Sequence, residues 1–273
     1  MRKREYLVIP IGTFIIVCVF LVALSTAQDC WENCRPAICL TTKTGCFCEK
    51  IRAGIIRQPV NTWSSLVFVP LGLFVLTQAK IDCRGGLSSA AGNRITSKYV
   101  YALTYGFALI ILGLGGALYH ASLSFLGQTI DIFGMYLFIS SILVYVLARM
   151  FSLQEYVAVV LFILINAALF CLYLIQPELR RYIFVWGSIL AFLLETIVRR
   201  KRNLTINHYY FAIVSLMIPL SSAFWLLDAL RIICFPKSVF QLHTLWHLGG
   251  VLTAGVLYMY FRSERPGKYP SCR

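Results

Sequence analysis

Charged residues are scarce in this chain, making up 13% of its 273 positions, where a soluble domain carries about a quarter. With 59% hydrophobic residues, too little polar surface remains to wrap a soluble globule of this length. The chain therefore reads as a membrane protein with a single domain in the bilayer. Carboxylates are scarcer still, with 11 Asp and Glu against 25 Lys and Arg, and there are only four His. The net charge of +14 does not indicate nucleic-acid binding, because the basic residues lie between apolar runs and form no face of a soluble fold. There is no repeat of fixed period and no low-complexity segment, which excludes a solenoid and a long biased tail. The 10 cysteines include no clean pair of CxxC units, which weighs against a zinc site made of thiolates.

What is present is a series of apolar stretches of about the 20 residues needed to cross roughly 30 Å of hydrocarbon. They fall at approximately 7–27, 61–79, 99–120, 129–149, 156–175, 182–198, 209–232 and 241–261. The first follows Arg2, Lys3 and Arg4 and ends at Ser25, Thr26 and Ala27, so it is either a signal peptide or a retained signal anchor. The expected fold class is an all-α polytopic membrane protein, a seven-transmembrane helix bundle preceded by that N-terminal segment. The expected organisation is 1–27 signal peptide or anchor, 28–60 cysteine-rich outer loop, 61–262 membrane domain and 263–273 cytoplasmic tail.

Orientation follows from Lys and Arg next to the spans. With both termini in the cytoplasm, the inner segments hold sixteen of the 25 basic residues, including the run Arg199, Arg200, Lys201 and Arg202 that abuts a span. The opposite orientation leaves most of them outside. The loop containing Cys30, Cys34, Cys39, Cys46 and Cys48 then faces an oxidising compartment where disulfides form. Five is an odd number, so one thiol is left over or pairs with another outer cysteine such as Cys234. The sequon at Asn203 falls on the inner side and is expected to be unmodified.

Ionisable groups inside a membrane cost at least about 2.5 kcal/mol each near the centre for Asp, Lys or Arg, and few are present. With the orientation fixed by basic residues alone, His120, Asp131, Asp228, His243 and His247 all fall in one outer layer. His243 and His247, four apart in QLHTLWHLGG, place two imidazoles on one helix face. That pair alone also suits stacked structural histidines or haem ligation; a third histidine at the same depth favours a metal. Three imidazoles and an open position form the ligand set of a catalytic zinc site. Asp131 lies a short turn away from His120, where a carboxylate orients the attacking water or takes its proton. Its alternative role is a first-turn helix charge. Asp228 either supports a ligating histidine from behind or pairs with Arg231. Glu195 is expected to pair with Arg199 on its own helix. In the outer loop Asp29, Glu32 and Glu49 are the only carboxylates, a small hard-oxygen group of the kind calcium takes or ordinary solvated loop charges.

These residues resemble the alkaline ceramidases, within a wider group of seven-helix membrane proteins that includes the adiponectin-receptor-like proteins. YHASLSFLGQTID at 119–131 is similar to the family's FH-x-T-L-S-F-L-G-Q-x-L-D, and HTLWH at 243–247 to its H-x-x-W-H. NTWSSL at 61–66 is similar to N-T-x-S-N, and FWLLD at 224–228 to F-W-x-x-D. The resemblance implies that His120, His243 and His247 bind Zn2+ and that Asp131 engages the water attacking the amide of a ceramide or related N-acyl lipid. Asp228, Ser124 and Tyr119 are expected to stand behind these groups. The family's calcium motif D-W-C-E-x-N is matched approximately by DCWENC, which carries Ca2+ to Asp29, Glu32 and Asn33. One departure stands out: the family has a serine four residues before its first zinc histidine, and this chain has Gly116. Ser122, Ser124, Tyr119 and Ser64 are candidates to replace its hydroxyl.

The expected activity is therefore zinc-dependent hydrolysis of a membrane lipid amide, with no nucleic-acid partner. A seven-helix lipid receptor with structural zinc and little turnover is the alternative, followed by a haem-binding or proton-conducting protein using the same histidines. Fold alone does not choose among these.

Overall fold

The computed structural model describes residues 5–26, 31, 34–41, 46–84, 93–201 and 206–265. Among these, the regular structure is helical: α1 (Val8–Thr26), α2 (Pro59–Ser65), α3 (Phe68–Arg84), α4 (Tyr99–Ser122), α5 (Phe125–Phe151), α6 (Glu155–Ile175), α7 (Arg180–Lys201), α8 (His208–Ala229) and α9 (Leu242–Arg262), with short helical turns at Ile38–Thr41, Arg94–Ser97 and Pro177–Leu179. Seven spans are long and apolar enough to cross a membrane: α1, α2 with α3, α4, α5, α6, α7 with its preceding turn, and α8. The chain is thus an integral, polytopic membrane protein. The last helix, α9, has 21 residues, enough to cross as well, and is less apolar because it carries His243 and His247.

The sequence-derived spans match these elements, with ends that move outward where caps extend the helix. The clearest case is α5. The apolar run begins near residue 129, but the Ser124 hydroxyl accepts from the Gly127 N–H at 3.1 Å, so the helix starts at Phe125. Asp131 therefore sits in the second turn, out of the first-turn position assigned to it as a helix charge.

Helix α4 is central, flanked by α3 and α5, while α7 and α6 pack on α5, α8 packs on α9, and α1 lies along α3. Small residues set the closest approach, as is usual where no hydrophobic force separates helix from lipid. A Cβ on Gly115 of α4 would stand 2.8 Å from the Ile130 carbonyl oxygen and 2.9 Å from the Asp131 nitrogen. Only glycine lets α5 press this closely, and the result is that Asp131 meets α4 near His120. The turn between the two helices closes through Leu123 at φ 46°.

Two disulfides, Cys39–Cys46 and Cys48–Cys234, tie the segment preceding α2 to itself and to the α8–α9 connection. The expected partnership with Cys234 is therefore formed, and these four sulfurs do not make a zinc site. The segment lies across the end of the bundle where α4 finishes and α5 and α9 begin. Arg57 N donates to Ala121 O at 3.0 Å and Gln58 N to His120 O at 3.1 Å, which satisfies carbonyls that the last turn of α4 leaves open.

Candidate metal centre

At that end of the bundle, His120 from the last turn of α4 meets His243 and His247 from the first turns of α9. All three are buried, and each offers a ring nitrogen within 4.8 Å of the others. His120 Nε2 and His243 Nε2 stand 3.2 Å apart. Two ligands held 2.0–2.1 Å from one ion in tetrahedral geometry are about 3.3 Å apart, so this pair already has the spacing a shared metal requires.

The outward nitrogens are held from behind. His120 Nδ1 lies 2.9 Å from Gln58 Oε1. An amide oxygen only accepts, so the ring carries its proton on Nδ1 and turns a bare Nε2 inward. His247 Nδ1 is 2.8 Å from Ser64 Oγ. His243 Nδ1 is buried with no hydrogen-bond partner, an unmet donor or acceptor that folding alone does not explain. The donor set and the spacing together fit a metal ion.

Asp131 approaches from α5. Its Oδ1 would stand 3.2 Å from a Cβ built on Gly116, one turn before His120 on the same face of α4. Its carboxylate makes no hydrogen bond among the described residues. The Phe47 ring caps the group, stacked on His243 with centroids 3.6 Å apart. The Arg181 guanidinium lies 5.7 Å from the centroids of both the Phe47 and Trp225 rings.

The remaining sequence candidates are placed differently. The Asp228 carboxylate is hydrogen-bonded neither to a histidine ring nor to the Arg231 guanidinium. Its Oδ2 accepts from Cys48 N at 3.0 Å and its Oδ1 from His243 N at 3.3 Å, so it fixes the backbone at the start of α9 and the covering segment together. Arg231 instead donates to Cys46 O. The Ser124 hydroxyl is used in the cap of α5, and Tyr119 OH donates to Cys39 Sγ at 3.2 Å. Glu49 binds the N–H groups of Val60 and Asn61, each at 2.9 Å, and so caps α2 in place of the solvated or calcium-binding role read from its loop. Glu195 pairs with Arg149 at 2.5 Å, from another helix, and not with Arg199. Asp29, Glu32 and Asn33, to which calcium was assigned, lie outside the described residues. Sequence reasoning missed Gln58 and Phe47. No local pattern marks either one, because their roles arise only when the disulfide-tied segment folds back over α4.

A membrane-embedded helical bundle that gathers three buried imidazoles and a free carboxylate at one end defines a class of polytopic membrane protein with a donor group that could hold a metal ion. Within that class, the chain matches the ceramidase family over residues 42–270. It belongs to that family, and membership makes it an amide-bond hydrolase acting on ceramide-type lipids. No match was found among curated proteins.

Proposed function

We propose that the chain is a zinc-dependent amidohydrolase that cleaves the amide of ceramide or a related N-acyl lipid, giving a sphingoid base and a free fatty acid. The observation that carries this reading is the inward convergence of three imidazoles whose nitrogens lie within 4.8 Å. His120, His243 and His247 would hold the ion; when bound, zinc polarises the amide carbonyl and eases deprotonation of the attacking water.

The protein's own groups divide the remaining work. Gln58 and Ser64 orient two of the three rings. Asp131, with no competing hydrogen bond, accepts the proton of the attacking water as the new C–O bond forms. It returns that proton to the amine nitrogen as the C–N bond breaks, so the acyl group leaves as a carboxylic acid and the sphingoid base as an amine. Phe47, stacked on His243, and Trp225, packed against its cluster, form an apolar wall beside the rings that suits a lipid and keeps bulk water away. We place the histidine end on the extracytoplasmic side, with both termini in the cytoplasm if α1 is retained. The two disulfides at that end and the arginine-rich opposite end support this placement.

The test is release of fatty acid from a fluorescent N-acyl sphingosine by the purified protein beside His243→Ala, with metal measured on the same samples. Activity and about one zinc per chain should vanish together in the variant. Zinc retained by a wild-type protein that turns over no N-acyl lipid would make the chain a lipid sensor instead.

A further inference from the structure

Four hydroxyls were candidates to serve where Gly116 has no side chain, and each is engaged elsewhere. Ser122 donates to Leu118 O and faces Ser124 at 2.8 Å. Ser124 caps α5, Tyr119 binds Cys39 Sγ, and Ser64 is spent on His247. A fifth hydroxyl points at the vacant space. A Cβ on Gly116 would meet Ser65 Oγ at 3.0 Å and Asp131 Oδ1 at 3.2 Å. The two oxygens therefore lie no more than about 6 Å apart, near enough for both to reach one reacting oxygen placed between them.

Ser65 is 2% exposed and also lies 3.5 Å from His247 Nδ1, so it stands beside the metal ligands as well as opposite Asp131. Its one described donation is to Asn61 O at 2.9 Å, a bond back to the preceding helical turn. Unlike Ser122, which also faces the Ser124 hydroxyl, Ser65 is held by this back-bond to its own helix, of a kind that slightly destabilises a helix. Glycine at 116 is what leaves the space open, because any side chain there would press on both oxygens.

We propose that Ser65 is a catalytic hydroxyl of this site: its Oγ hydrogen-bonds the reacting oxygen from the side opposite Asp131, and Gly116 provides the clearance. The hydroxyl is thus supplied by α2, where the resembled motif has asparagine, and not by α4. This rests on the hydrolase reading above, and the experiment separates the two.

Wild type, Ser65→Ala, Gly116→Ser and the double variant Ser65→Ala/Gly116→Ser are compared for turnover of N-acyl sphingosine and for bound metal. Each is also titrated calorimetrically with a long-chain phosphonamidate, a tetrahedral mimic of the reacting amide. Loss of one such donor is expected to lower kcat by about 10²–10³-fold in Ser65→Ala, with KM and metal content unchanged and the phosphonamidate bound at least about tenfold more weakly. Gly116→Ser should also be impaired by crowding. The double variant, which returns a hydroxyl from α4, should exceed both single variants. Wild-type kcat and analogue affinity in Ser65→Ala, loss of its metal, or a double variant no better than the single ones would each overturn the inference. Wild-type turnover that Ser65→Ala leaves unchanged would overturn this inference alone, whereas a wild-type protein without turnover would overturn the hydrolase reading and this inference with it.

Discussion

Both ends of the helical bundle bury polar side chains, and the two groups are put together differently. Away from the histidines, charge is matched with charge. Arg149, 3% exposed, contacts Glu195 at 2.5 Å and Glu264 at 2.9 Å, while Tyr260 donates to Glu195 Oε1 at 2.6 Å. Nearby, Asp82 is bound by Arg262 and Gln78. At the other end, three histidine rings face one another with no carboxylate bonded to any ring nitrogen, and Asp131 makes no described hydrogen bond. A buried polar atom left unpaired costs about 1–3 kcal/mol. Matched charges hold helices in register; unmatched ones are retained for something that is bound there. The two ends thus separate architecture from chemistry, and the separation can be tested from either side.

The largest effect is expected at the matched end. Arg149→Met leaves Glu195 and Glu264 buried without their common cation, and breaking such a network by removing one partner costs about 3–5 kcal/mol. That is a large part of the roughly 5–15 kcal/mol by which domains are stable. The variant should unfold at a markedly lower temperature in detergent while each folded chain keeps its metal. Metal lost with an unchanged unfolding temperature would mean that the two ends are not independent.

The converse experiment strikes the histidine end. Gln58→Leu removes the oxygen that fixes the His120 tautomer, and loss of such a supporting partner typically weakens metal binding by about 10–100-fold. Competition with a chelator should show that decrease, with only a small change in the unfolding temperature of the metal-free protein. Unchanged affinity would remove Gln58 from the support of His120.

The sequence already contained much of this division. Apolar runs and the distribution of Lys and Arg placed the helices, and the depth of His120, His243 and His247 brought the ligands to one end, because a helix converts spacing into position along a single axis. Contacts between elements were not legible. Glu195 has Arg199 four residues on, the pairing that helical spacing favours, yet it turns to Arg149 of α5, a choice set by interhelix packing. Asp228 was read either behind a ligating histidine or against Arg231, and it binds the backbone N–H groups of His243 and Cys48. Gln58 and Phe47 gain their places only after the segment closed by Cys48 and Cys234 folds over α4, and nothing local encodes that return.

Glu49 stands apart from Asp131, since like Asp228 it is a fully engaged carboxylate at the histidine end. It is 3% exposed and receives N–H groups from Val60 and Asn61 at the start of α2. Burial pushes its carboxyl up and the two N–H groups pull it down, with burial the larger. The folded chain therefore holds the Glu49 proton more tightly than the unfolded chain, whose reference value is 4.5. The stability this confers is complete below 4.5 and is lost as pH rises through the folded value. Glu49→Gln is always neutral and keeps an acceptor for α2, so its unfolding temperature should fall less than that of wild type between pH 4.5 and pH 7. The cost of losing the charge at the helix start should stay within about 1 kcal/mol, with metal content unchanged. A wild-type protein that gains stability relative to Glu49→Gln over the same interval would show that the two backbone bonds outweigh burial, making Glu49 an anionic cap and giving this end a matched charge of its own.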